Sequence, residues 1–229
     1  MKLNISNLLK KLNEDINFIT IDGITCSGKT LFAKLLKKKL NNATLISKDI
    51  FLIPRSKRIK ITKKIKKNLI YNQNLLHYDI KKINLLIKFL INGNKKKKLL
   101  LKQLYNRKNG KNNLTQTFYF KPKKTVIFEG IYTAEDMKKI IKPSLKILII
   151  ENVYKSLFRK IERIRDKKIS IQNVVTEFSK LHLSSYLKYL KQNSFNLIFS
   201  DLNQNFIISK NGKKKQILEI KNFLKKHTN

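Results

Sequence analysis

A three-layer α/β/α fold around a parallel sheet is what this sequence predicts, and three observations predict it. Short, almost wholly apolar runs (Phe18 to Ile21, Val126 to Phe128, Leu145 to Ile150) alternate with longer stretches of helical periodicity. Strands that are apolar on both sides read as parallel strands buried beneath two helical layers. Between the first run and the first helix stands the octapeptide Gly23-Ile24-Thr25-Cys26-Ser27-Gly28-Lys29-Thr30, at the turn where a doubly wound sheet binds anions. The 229 residues suffice for one domain, 1–229, with a substantial core, and no repeat or linker divides them.

Taken in order, Asn17 to Asp22 reads as the first strand, Leu31 to Leu40 as the helix after the glycine-rich turn, and Ala43 to Ser47 as a second strand running into Lys48-Asp49-Ile50-Phe51. Residues 54–72 are very basic and poorly patterned, the signature of a surface excursion. Asp79 to Asn92 is a helix: Asp79 can cap it, Ile80, Ile83, Leu86, Ile87, Leu90 and Ile91 form one apolar face, and Gly93 ends it. Lys98 to Tyr105 and Thr115 to Phe120 flank a turn-rich stretch and predict a β-hairpin, 98–120, projecting on the acceptor side of the site. Thr125 to Phe128 is a short buried strand ending in Glu129-Gly130. A helix (Thr133 to Ile141), a strand (Leu145 to Ile150), two helices (Tyr154 to Arg165 and Ile171 to Lys191), a last strand (Phe195 to Phe199) and a closing helix (Gln216 to Lys225) complete the chain, with a short lid at 159–171.

Composition narrows the class. No run reaches membrane-spanning length, the first residues lack the apolar core of a secretory signal, and Met1 to Leu12 reads as a surface amphipathic helix. One cysteine, Cys26, allows no internal disulfide and fits a reducing, cytoplasmic setting. The net charge of +38, from 52 Lys+Arg against 14 Asp+Glu, would ordinarily point to nucleic acid or an anionic membrane. Here the excess is Lys spread over the whole chain beside over-used Asn and Ile, which is what an A/T-rich gene encodes. The expectation is therefore no specific nucleic acid and no membrane partner, with salt-sensitive RNA association as a side effect. Arginine is the exception: it occurs only at 55, 58, 107, 159, 163 and 165. Its flat donor fork at Arg159, Arg163 and Arg165 suggests oxyanions to be gripped, against the plainer reading of a helix face pairing with Glu162 and Asp166.

The octapeptide is a full Gly-x-x-x-x-Gly-Lys-Thr phosphate-binding loop. Its main chain, Gly23 and Thr25 to Thr30 with Cys26, Ser27 and Gly28 among them, can cradle a nucleotide's phosphates. Lys29 can reach the β and γ groups, and the Thr30 hydroxyl can ligate Mg²⁺. Cys26 occupies a variable loop position, so its thiol reads as incidental. Phosphoryl transfer to a hydroxyl also needs a carboxylate at the nucleophile and cations for the migrating charge. Three acids fall at carboxyl ends of strands: Asp22, Asp49 and Glu129. Asp49 is the candidate base, and Glu129 the candidate Mg²⁺ holder alongside Thr30 and Asp49. Arg163 and Arg165 serve the transferred charge, and His77 is an acceptor-site candidate. His182 reads as structural.

These segments resemble the uridine kinase/phosphoribulokinase-like branch of P-loop kinases from about Ile16 to Leu202. Ser47-Lys48-Asp49-Ile50-Phe51 resembles the family's Asp-x-Phe/Tyr segment, and His77-Tyr78-Asp79 its His-Pro-Asp. Leu101 to Asn106 with Gly110-Lys111 resembles the Pro-x-Tyr-Asp hairpin and its Gly-x-Arg end. Val126-Ile127-Phe128-Glu129-Gly130-Ile131 resembles the strand ending in Glu-Gly-Ile, and Arg159 to Asp166 the Arg-rich helix ahead of the lid. The resemblance implies a P-loop NTPase fold and ATP with Mg²⁺ as cofactors. It makes Asp49 the base, puts Lys29 and Arg165 at the chemistry, sets Asp49, His77, Asp79, Tyr105 and Arg159 at the substrate, and gives the 5′-hydroxyl of uridine or cytidine as acceptor. The departures lie at the acceptor: Leu76 replaces a ribose-binding Asp, Tyr78 and Gln103 replace prolines, Asn106 replaces an Asp, and the lid lacks its Gly-Arg stretch. Another sugar or metabolite hydroxyl is the alternative, and a decayed, RNA-associating nucleotide binder a further one; a homo-oligomer is compatible with either.

Overall fold

A computed structural model describes residues 18–40, 42–64, 77–92, 97–120, 125–136, 144–164, 170–202 and 205–227. Outside the described residues fall the helix expected at Met1 to Leu12, Leu76, Arg165, nearly all of the expected lid turn, and the second half of the helix expected from Thr133.

Eight strands form: β1 (Phe18–Gly23), β2 (Ala43–Ser47), β3 (Lys98–Tyr105), β4 (Asn112–Tyr119), β5 (Thr125–Glu129), β6 (Leu145–Ile150), β7 (Leu197–Leu202) and β8 (Asn205–Ile208). The main sheet runs β2-β5-β1-β6-β7-β8, and β3 pairs only with β4. Five strands are parallel, as their doubly apolar sequences require; β8 returns antiparallel to β7. The sequence reading ended the sheet one strand too soon, because Asn205-Phe206-Ile207-Ile208 is too short a run to stand out.

The described helices are α1 (Lys29–Lys39), α2 (Arg55–Lys64), α3 (Ile80–Asn92), the single turn α4 (Thr133–Asp136), α5 (Val153–Ile164), α6 (Ile171–Thr176), α7 (Ser184–Gln192) and α8 (Gly212–His227). Part of the basic stretch expected as a surface excursion is helical: Arg55-Ser56-Lys57-Arg58-Ile59-Lys60 has too few apolar residues to show a helical face, yet it coils as α2. The long helix expected from Ile171 also changes character. Between α6 and α7 the stretch Glu177–Leu183 winds as a wider π-helix. There the Ser179 hydroxyl donates to the carbonyls of Val175 and Thr176, and the Ser184 hydroxyl to that of Ser179. Hydroxyls bonded back onto the preceding turn distort a helix in this way.

Alternation along the strands sorts the core. Ile19, Ile21, Ile127, Ile147 and Ile149 face α1, packing on Phe32, Ala33 and Leu36. On the other face Phe18, Val126 and Phe128 meet α3 and the β3–β4 hairpin, while Leu148 and Ile150 meet α5, α7 and α8. The hairpin is thus packed onto the sheet edge by Leu101, Leu104 and Phe118. Among the described residues no helix is long and apolar enough to cross a membrane.

Candidate active site

Register brings the chemistry together. Ile21 stands opposite Glu129, and Glu129 opposite Ser47, so the ends of β1, β5 and β2 deliver the glycine-rich loop, Glu129 and Asp49 to one edge of the sheet. They line a cleft of about 320 Å³ with Thr25 to Leu31, Arg107, Gly130, Ile131 and Arg163. A larger hollow of about 430 Å³ between β6, β7 and α8 holds neither the loop nor Asp49, so it is not the phosphate site.

The loop's shape follows from its residues. A Cβ on Gly23 would lie 2.4 Å from Ser27 Oγ and 2.5 Å from the Ile149 carbonyl, so only glycine fits against β6. Gly28 enters α1 at φ 88°, a conformation glycine takes without strain. Cys26 adopts φ 62° despite its side chain. The first amides of α1 then face the cleft with the positive end of the helix dipole behind them. Lys29, nearly buried, donates to the Ile24 carbonyl at 2.7 Å. Burial lowers its pKa, opposed by the charges of Glu129 and Asp22. That bond holds the ammonium against a carbonyl of its own loop.

Thr30 Oγ1 donates to Glu129 Oε2 at 3.3 Å, and Glu129 is buried. A hydroxyl and a carboxylate beside a phosphate cradle suit Mg²⁺, which keeps waters and shares its shell with substrate phosphates. No group of three or more His, Cys, Asp or Glu able to hold a metal occurs among the described residues.

Asp49 stands on a 3₁₀ turn, Lys48–Phe51, directly after β2. Tyr78 donates its hydroxyl to Asp49 Oδ1 at 3.4 Å, and the Arg107 guanidinium pairs with Oδ2. Lys48 is buried, donates to the Ile131 carbonyl at 2.9 Å and lies 4.3 Å from the centre of the Tyr78 ring. It therefore fixes the ring that fixes Asp49. Sequence reasoning missed Lys48, Tyr78 and Arg107; the one available signal was a rare arginine placed in the hairpin turn.

The other expected site residues have different places. Asp22 is wholly buried and accepts from the amides of Gly23 and Thr133 (both 2.7 Å), from Thr133 Oγ1, and from the hydroxyls of Tyr186 (3.1 Å) and Tyr189 (2.5 Å). Burial, and then the Asp22 charge, push both tyrosine pKa values well up. So saturated a carboxylate is a structural anchor tying α7 to the loop strand. Arg163 lines the cleft. Arg159, expected at the substrate, instead bridges the buried Glu151 (2.9 Å) and the Cys26 carbonyl (3.2 Å), bracing the loop from α5. Asp79, also expected there, accepts from the Lys82 amide and pairs with its ammonium, capping α3. Tyr105, the third of these, is buried and spends its hydroxyl as acceptor from Arg58 (2.8 Å). His77 is half-buried beside this group; burial, then the Arg58 charge, lower its pKa to about 4, so it is neutral at pH 7. His182 is more than filler: it lines a small hollow with Thr25 and Tyr132 and bonds Glu177 at 3.0 Å. That bond, with Lys160 nearby, holds Glu177 at about 2.

No protein-family model matches this chain, and no curated protein matches it. Solved structures do. A possible uridine kinase from Bacillus stearothermophilus superposes with a TM-score of 0.55 at 17% identity, over 82% of this chain and 90% of that one. D-glycerate 3-kinase from Cryptococcus neoformans var. grubii superposes at 0.53 and 14% identity, over 86% and 90%. The fold is that of the P-loop kinases. At such identities the likeness is one of architecture.

Proposed function

We propose that the protein is an ATP-dependent phosphotransferase that moves the γ-phosphate to a hydroxyl of a small molecule. The observation that carries this is the meeting of Asp49, Glu129 and Thr30 with the glycine-rich loop in one cleft. Loop amides hold the phosphates, and Lys29 exchanges the Ile24 carbonyl for a phosphate oxygen. Thr30, Glu129 and Asp49 are the residues that would hold Mg²⁺, which when bound neutralises charge on the β and γ oxygens. Asp49 accepts the hydroxyl proton as the acceptor oxygen bonds to phosphorus and the bridging bond to ADP breaks; Arg163 faces the charge that migrates. Arg165, beyond the described residues, is assigned to that charge by the sequence resemblance alone.

The resemblance implies the 5′-hydroxyl of uridine or cytidine as acceptor, and nucleoside salvage as the setting. A different acceptor is favoured by one observation: Arg107 lines the cleft and pairs with Asp49, while Asp79 caps α3 and Tyr105 spends its hydroxyl on Arg58. Asp49→Asn tests the shared claim. Turnover is expected to fall by about 10²–10⁴ with ATP affinity nearly unchanged, read as acceptor-dependent ADP release beside a binding isotherm. Full turnover in that variant would remove Asp49 from the mechanism.

A further inference from the structure

We propose that the acceptor carries an oxyanion, a carboxylate or a phosphate, close to the hydroxyl that is phosphorylated, and that Arg107 grips it. The inference rests on the kinase reading above and names its substrate class.

The position of Arg107 is built. Asn106 accepts from the Lys108 amide through its side chain, its own amide donates to the Lys111 carbonyl, and the Gly110 amide donates to its carbonyl, which closes the hairpin turn. The Arg55 amide at the start of α2 donates to the Gly110 carbonyl at 3.0 Å, and Asn112 donates to the Leu52 carbonyl at 3.1 Å, so the turn is docked beside the Asp49 segment. A side chain from residue 107 is thereby delivered to Asp49 and into the cleft.

The choice of residue is informative as well. Lysine fills almost every basic position of this chain, and arginine only six. Three of the six, Arg55, Arg58 and Arg107, gather around this one turn. Arg58 is oriented by donating to the Tyr105 hydroxyl and the Ile53 carbonyl, and Arg55 lies against Gly110 and Tyr105. A guanidinium differs from an ammonium in offering two parallel donors to one carboxylate or phosphate while a further edge binds elsewhere. Asp49 pairs with Arg107, whose side chain lines the cleft and is still 62% exposed. An acceptor oxyanion on the open edge would set a neighbouring hydroxyl beside the carboxylate that takes its proton. A neutral nucleoside offers that edge only uncharged acceptors, which bind a guanidinium more weakly than a carboxylate or phosphate does.

Binding tests this without requiring turnover. The protein is loaded with a non-hydrolysable ATP analogue and Mg²⁺, then titrated with matched pairs, gluconate against glucose and ribose 5-phosphate against ribose, with uridine as the neutral nucleoside. At least one anion is expected to bind about tenfold or more tightly than its neutral partner and than uridine. Arg107→Gln should abolish that gap with analogue affinity unchanged within about twofold, and Arg107→Lys should recover only part of it. Which pair shows the gap tells carboxylate from phosphate. The inference is overturned if no anion outbinds its neutral partner, if uridine binds as well as the anions, or if the gap survives in Arg107→Gln. Failure of the analogue itself to bind would take down the kinase reading, and this inference with it.

Discussion

The two ends of the cleft are made differently. The loop end, where phosphate is proposed to bind, is one contiguous segment: Thr25 to Leu31 bend around the cleft, with Arg159 bonded to the Cys26 carbonyl and the Asp22 anchor holding the Gly23 amide. The end around Asp49, where the acceptor is proposed to bind, is made by side chains: Arg107 from the hairpin turn and Tyr78 from ahead of α3 meet Asp49 on the 3₁₀ turn, from segments separated by tens of residues. A backbone cradle recognises what all nucleotides share and tolerates sequence change outside its glycines. A side-chain wall recognises what is particular to one acceptor, and it can be rebuilt by a few substitutions.

Gly23→Ala should break that contrast most severely, because its Cβ meets the fixed Ile149 carbonyl as well as Ser27. Nucleotide binding is expected to vanish and stability to fall by about 1–3 kcal/mol, followed by calorimetric titration and chemical denaturation. Arg159→Ala should come next. It takes from the nearly buried Glu151 its 2.9 Å guanidinium partner, with Lys155 farther off at 3.7 Å, and removes the Arg159 bond to the Cys26 carbonyl. A loss of about 2 kcal/mol is expected on urea denaturation, with weaker ATP binding and unchanged preference among acceptors.

The smallest effect sharpens the acceptor side. His77 takes up its proton near pH 4 when folded, against 6.5 for a histidine free in water. Between those values the unfolded chain binds the extra proton, so this contribution is whole above about 6.5 and drains away as pH falls toward 4. His77→Gln should flatten that part of the stability-pH curve. A remaining slope is expected from His182, whose pKa burial also lowers. An unaltered curve in the variant would mean that His77 is not held neutral by burial beside Arg58.

Much of the phosphate end was legible in advance because its determinants are local: an apolar strand, two glycines at fixed spacing, a lysine and a threonine, a helix. The same holds for Glu129, which directly follows a buried strand. α2 was not legible, since its sequence carries no amphipathic period and its docking depends on the Gly110 carbonyl. Asp79 was legible as the cap of α3, a local role, whereas Arg159 was legible as a charge but not by partner, because Glu151 meets it only once the chain has folded.

By itself, then, the sequence determined the layered sheet, the glycine-rich turn into the first helix and the two carboxylates beside it, all encoded within contiguous segments whose periodicity or spacing has one physical solution. Tertiary structure alone decided that Asp22 is an anchor, that Arg159 braces the loop, and that Arg107 meets Asp49. Each of these depends on charges or hydroxyls brought together from distant parts of the chain, where pairing follows proximity and burial and not order along the backbone.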